Sequence, residues 1–169
     1  MSNLLKRIWR RLGCRGIALI ELLGALAITG IVVALATTAY VNAQQAQRSA
    51  AIQAEIQEYG RASMDYMVRE VQSARKLVSV GTHSLTLVNS TGNKLTYRVQ
   101  AATLYRDFFL TEYASLPSTS NPITPWVSDV SFAAKTSMGV LNGVKISLTM
   151  QNGSKVSHLE NEAYLRIGQ

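Results

Sequence analysis

The sequence predicts an α+β fold in which a long N-terminal helix, membrane-spanning in its first half, packs on an antiparallel β-sheet domain. Three observations predict it. Residues 17–41 carry a single charge, Glu21. Residues 42–78 contain no proline, and their apolar side chains recur every three or four positions, the period of one helix face. From His83 onward the period falls to two, as in strands with one face buried. A single helix laid on such a sheet is an α+β arrangement.

Residues 1–16 form a short basic leader holding Lys6, Arg7, Arg10, Arg11 and Arg15. The whole chain has a formal net charge of +7, which invites a nucleic-acid or anionic-membrane reading. Location weakens it: without these five of the 17 basic residues, 12 remain against 10 acidic ones. The cluster reads instead as a topology signal, keeping the leader cytoplasmic by the positive-inside rule.

Residues 17–41 make the transmembrane half of the helix. At about 1.5 Å per residue they span roughly 37 Å, enough to cross a hydrocarbon core of about 30 Å with some tilt. Glu21 is the anomaly, because a carboxylate in lipid is costly and demands a partner. Gly24 and Gly30 permit bending or close helix–helix approach. Residues 42–78 form the amphipathic second half, rich in Ala, Gln, Glu, Arg and Met. Ile56, Gly60, Met64, Met67, Val71, Ala74 and Val78 share one face, so the helix is expected to run to about Leu77. Gly60, poor in a helix interior, predicts close packing there.

Residues 79–169 are expected to form the β-rich domain. Leu85 and Leu87 alternate with polar residues, as do Leu95, Tyr97 and Val99; between them Ser90-Thr91-Gly92-Asn93 is turn chemistry. A third strand, Leu104–Phe109, follows the short Gln100–Thr103 connection. Residues 115–125 hold all three prolines and read as a surface loop. Val130 and Phe132 lead into a last alternating pair: Ile146, Leu148 and Met150, then Ala163, Leu165 and Ile167. Asn152-Gly153 marks the tight turn between them.

The run Gly16-Ile17-Ala18-Leu19-Ile20-Glu21-Leu22-Leu23, continued by Ala25-Leu26-Ala27-Ile28 and Gly30-Ile31-Val32, resembles the cleavage and methylation motif of type IV pilins and type II secretion pseudopilins. Ile17 stands where phenylalanine is commonest, and Ala18 where threonine or serine is usual. The resemblance implies a pilin-like fold, cleavage between Gly16 and Ile17 by a prepilin peptidase, N-methylation of Ile17, and an assembly role for Glu21. Cys14, the only cysteine, would leave with the leader. Residues 67–75, with Lys94–Val99 and Leu104-Tyr105-Arg106, are similar to the J-type minor pseudopilins and W-type minor pilins.

What the resemblance implies is a minor pilin or pseudopilin that primes or caps a type IV pilus-like filament serving secretion, adhesion, motility or DNA uptake. The implied partners are the prepilin peptidase, an inner-membrane assembly platform, the membrane, and other pilins met through the N-terminal helix. Nucleic acid is a further partner that the family allows and the residues do not indicate. The alternatives are a major pilin, a DNA-binding tip pilin with Lys94, Arg98, Arg106 and Lys145 as its only sheet cations, or an enzyme or sensor domain on an uncleaved anchor.

No phosphate loop, nucleophile elbow or metal motif stands in the sequence, so no enzymatic activity, cofactor or metal is expected. His83 and His158 read as solvated strand-end residues. Glu160 and Glu162, two apart on a strand, read as a solvated rim rather than a catalytic pair. Asn89-Ser90-Thr91 and Asn152-Gly153-Ser154 match a glycosylation pattern but already serve as turns.

Overall fold

The computed structural model describes the backbone of residues 3–137 and 139–166 and the side chains of residues 19–137 and 139–166. Among the described residues, helix α1 runs Asn3–Ser73 and eight strands follow. Strands β1 (Lys76–Gly81), β2 (Ser84–Val88), β3 (Lys94–Gln100), β4 (Thr103–Phe109) and β5 (Thr119–Pro125) form an antiparallel meander in sequence order. Strands β6 (Val127–Ser137), β7 (Val140–Asn152) and β8 (Lys155–Tyr164) form a second antiparallel sheet. This is the α+β layout that the periodicities predict, with two sheets in place of one. The chain divides into two compact units, Met1–Ser49 and Ala50–Gln169.

In the first unit the apolar side chains of α1 point outward on all sides. Leu19, Ile20, Leu22, Leu23, Leu26, Ile28, Ile31 and Leu35 are all exposed. The most apolar 18-residue window of the helix reaches a mean hydropathy of 2.4. Among the described residues this one helix, near the N-terminus, is long and apolar enough to cross a membrane. A helix apolar all round needs lipid or other helices as its surroundings.

In the second unit the helix keeps the stripe that its spacing implies. Ile56, Met64, Met67, Val71 and Ala74 are buried in one core with Leu85, Leu87, Leu95, Tyr97 and Leu104 of the five-stranded sheet. Val130, Phe132, Val144, Ile146, Leu148 and Met150 of the three-stranded sheet complete that core. Gly60 makes the close approach expected of it. A Cβ there would run into Leu159 Cδ1 and lie 2.9 Å from Met150 Sδ.

Three details differ from the pattern reading. The helix ends at Ser73, not near Leu77, and Lys76–Gly81 is a strand. Ala74 N bonds back to Val71 O, and then Arg75 N turns to Val88 O of β2. Leu77 and Val80 suit a helix face or a strand face equally, so only this distant partner decides. Val78 is consequently exposed. The proline-rich segment is not all loop, because Thr119–Pro125 pairs with β4 as an edge strand. Proline is tolerated there because an edge strand has a row of N–H groups with no ladder partner. The last hairpin turns on Gly153-Ser154, while Asn152 pairs with Lys155; Gly153, at φ +59°, supplies the positive φ of a II′ turn. Ile167 lies outside the described residues.

Trp126 is the single residue between β5 and β6, and so between the two sheets. Its φ of +62° is unusual for a bulky side chain. Two contacts hold it. Its ring meets Tyr59 of α1 edge-on at 5.6 Å, and its carbonyl accepts from Gln151 N at 2.7 Å.

Candidate functional site

The three residues singled out by the motif fall in the first unit. Gly16 and Ile17 belong to the backbone of α1 but lie outside the residues whose side chains are described. Glu21 is exposed on the helix among Leu19, Ile20, Leu22 and Leu23.

The other polar groups of the span close on the helix itself. Thr29 Oγ1 donates to Ala25 O at 2.7 Å, Thr37 Oγ1 to Val33 O at 2.8 Å, and Thr38 Oγ1 to Ala34 O at 2.9 Å. Tyr40 Oη accepts from Gln44 Nε2 at 2.7 Å. Hydroxyls bonded back to the preceding turn are compatible with lipid, where no water is at hand to satisfy them. Glu21 has no hydrogen bond or ion pair among the described residues.

A second polar centre, which the periodicities did not show, joins α1 to the five-stranded sheet. The Glu70 carboxylate accepts from Arg106 Nη2 at 2.7 Å, from Arg106 Nε at 3.2 Å, and from the Tyr97 hydroxyl. Burial, then the negative charge of Glu70, pushes the Tyr97 phenol far above its usual range, so it stays a donor. Burial and Glu70 raise Tyr66 for the same reasons. Arg106 also lies over the rings of Tyr66 and Phe108, at 5.9 Å from each. Tyr97 and Arg106 come from the segments that carry the narrower resemblance. Their partner is 27 and 36 residues away, beyond the reach of any local pattern.

The remaining candidates are surface ion pairs. Glu160 takes Lys145 Nζ at 2.8 Å and Glu162 takes Lys135 Nζ at 2.7 Å. Hydrogen bonds from Lys145, then Ser147, hold the Glu160 carboxyl down at about 2; Lys135, then Tyr164, lowers Glu162. Both acids are therefore pushed the same way, whereas acid–base work needs them pushed apart. His83, in the turn between β1 and β2, donates from Nδ1 to Val130 O at 2.8 Å. His158 is not at a strand end; it sits inside β8, its Nδ1 2.9 Å from Thr149 Oγ1. Asn89 Oδ1 accepts from Thr91 N and Asn93 N, so its side chain is committed to the turn. Among the described residues no three His, Cys, Asp or Glu side chains come together to hold a metal.

The four cations expected to be the only ones in the sheet are joined on strands by Lys76, Lys135 and Lys155, and those four do not form an open basic patch. Arg98 Nε is 2.5 Å from Asp107 Oδ2, Arg106 is held by Glu70 and Lys145 by Glu160. Lys94 donates to Ala114 O and sits over the Phe109 ring. No protein-family model matches this chain, and no curated protein matches it.

Proposed function

We propose that this chain is a minor pilin or pseudopilin: a single-pass inner-membrane protein that primes or caps a pilus-like filament. Its β-rich domain faces away from the cytoplasm. A prepilin peptidase cuts between Gly16 and Ile17, the new terminus is methylated, and an inner-membrane assembly platform brings the helix beside those of other pilins.

One observation carries the reading. The membrane half of α1 bonds its own hydroxyls and leaves a single carboxylate, Glu21, with no partner among the described residues. A lone acid costs on the order of 3 kcal/mol at the centre of a bilayer and less toward its edge, where the fifth residue of the span lies, so a counter-ion there is favourable. Cleavage after Gly16 would create an ammonium at the head of a neighbouring helix. The pair adds little net stability, since desolvating both ions offsets their attraction. It fixes register, because misaligned subunits leave two buried, uncompensated charges.

The test is N-terminal sequencing of the membrane-extracted chain, followed by recruitment of the Glu21→Ala variant into filaments. The chain is expected to begin at Ile17. Glu21→Ala should insert into the membrane as well as the wild type but be recovered with other subunits about tenfold less, the ratio that 1.4 kcal/mol makes. A chain that keeps its first 16 residues beside a working peptidase, and is recovered alone, overturns the proposal.

A further inference from the structure

Where α1 ends, the fold brings two arginines that are far apart in sequence to one cleft. Arg69, Gln72, Ser73 and Arg166 line a space of about 270 Å³. Backbone bonds fix its walls. Leu165 N donates to Asn142 O of β7 at 2.8 Å and Arg166 N to Gln72 O at 3.3 Å, so the segment after β8 is pinned against the helix. No acid lines the cleft. The neighbouring carboxylate in sequence, Glu70, is taken by Arg106. Elsewhere in this unit Lys76, Arg98, Lys135 and Lys145 each reach a carboxylate, and Lys94 reaches Ala114 O. Arg69 and Arg166 form no ion pair among the described residues. Two like charges bordering one cavity repel each other, and a doubly charged anion held there would reverse that cost.

We infer that the Arg69–Arg166 cleft binds a phosphate group, each guanidinium offering its fork of N–H donors to the phosphate oxygens. The charge of a phosphate monoester matches two arginines, and its tetrahedral oxygens can accept from two forks that arrive on different elements. The Gln72 amide supplies a further, neutral donor. Ser73 is not counted, because its hydroxyl already donates to Glu70 O at 3.2 Å. A carboxylate, flat and singly charged, would satisfy one fork and leave the other bare. The cleft is smaller than the range of about 300–1,000 Å³ in which whole small molecules are enclosed. It therefore recognises the phosphate and not what carries it, whether a soluble phosphate ester or a lipid headgroup. Both arginines are exposed, so salt screens the attraction, and the expected Kd for inorganic phosphate at low ionic strength is about 1 mM.

The experiment titrates the full-length chain, held in phosphatidylcholine nanodiscs, with inorganic phosphate by calorimetry at low salt. Arg69→Gln and Arg166→Gln should each weaken binding about tenfold, the loss of one charge-assisted fork. Arg69→Lys should weaken it severalfold, since an ammonium keeps the charge and loses the fork. Arg61→Gln, which removes a charge from the same helix outside the cleft, should leave it unchanged. Circular dichroism checks that each variant keeps the fold. Vesicles of phosphatidic acid in phosphatidylcholine then identify the carrier. The leader cations also attract such vesicles, so the quantity read is the difference between the wild type and the Arg69→Gln/Arg166→Gln double variant. A difference assigns the cleft to a lipid headgroup; phosphate binding lost in the double variant with no vesicle difference assigns it to a soluble phosphate ester. No measurable phosphate binding by the wild type overturns the inference. Equal binding by the double variant does so too, as does an Arg61→Gln loss as large as that of Arg69→Gln.

Discussion

Glu21 and Glu70 sit on one helix, and of the two only Glu70 has a counter-charge among the described residues. Glu21 is legible in the sequence because it interrupts an apolar run, and an isolated charge in such a run is conspicuous at any length scale. Glu70 is not legible, since it stands among ordinary helix-surface charges and its partners arrive from β3 and β4 through tertiary packing. Its effect is measurable. Tyr97→Phe removes one donor from the carboxylate while keeping the ring in the core. A hydrogen bond to a charged group contributes about 2 kcal/mol, so urea unfolding of the domain should show a loss of that size with an unchanged m-value. A loss below about 0.5 kcal/mol would mean that Arg106 alone satisfies the acid.

At the scale of elements, the hairpin between β3 and β4 departs most from its own sequence. Its two central residues, Ala101 and Ala102, both hold positive φ, at 49° and 56°. The I′ geometry that suits a two-residue hairpin normally calls for Asn-Gly, and alanine in that region is disfavoured by roughly 1–2 kcal/mol per residue. Replacing the pair by Asn-Gly is therefore expected to raise stability by about 1 kcal/mol or more, read as a higher urea midpoint. An unchanged midpoint would place the turn in a different geometry. Patterning located β2 and β3 because each alternates cleanly, and β4 because its apolar and aromatic residues follow the short Gln100–Thr103 connection. It missed β1, whose apolar residues fit two periods, and β5, whose prolines argue against a ladder until the strand is known to lie at an edge. It also merged the two sheets, since nothing but Trp126 separates β5 from β6.

For the molecule as a whole, the two units have opposite solvent requirements. Residues 50–169 bury their apolar stripe internally, while the helix before them exposes apolar side chains all round. The fragment 50–169, freed of the span, is expected to be soluble and to unfold in one cooperative transition, with stability in the range of about 5–15 kcal/mol typical of single domains. A broad, non-cooperative transition by circular dichroism would show that the domain depends on the preceding helix. The overall class was readable because hydropathy and period change sharply near residues 17, 42 and 83. The distribution of ion pairs was not, because pairing follows from which strands become neighbours.

The prolines of β5 bear on how such a protein can be kept waiting. A bare sheet margin would let copies of the domain fuse flank to flank into aggregates. Pro122 and Pro125 have no amide hydrogen to offer at that margin, and a register shift beside Tyr105 bends it. On the other sheet, Glu162 N is occupied by the side chain of Asn161 at 2.8 Å. The β5 and β8 margins are thereby blunted against strand-to-strand pairing.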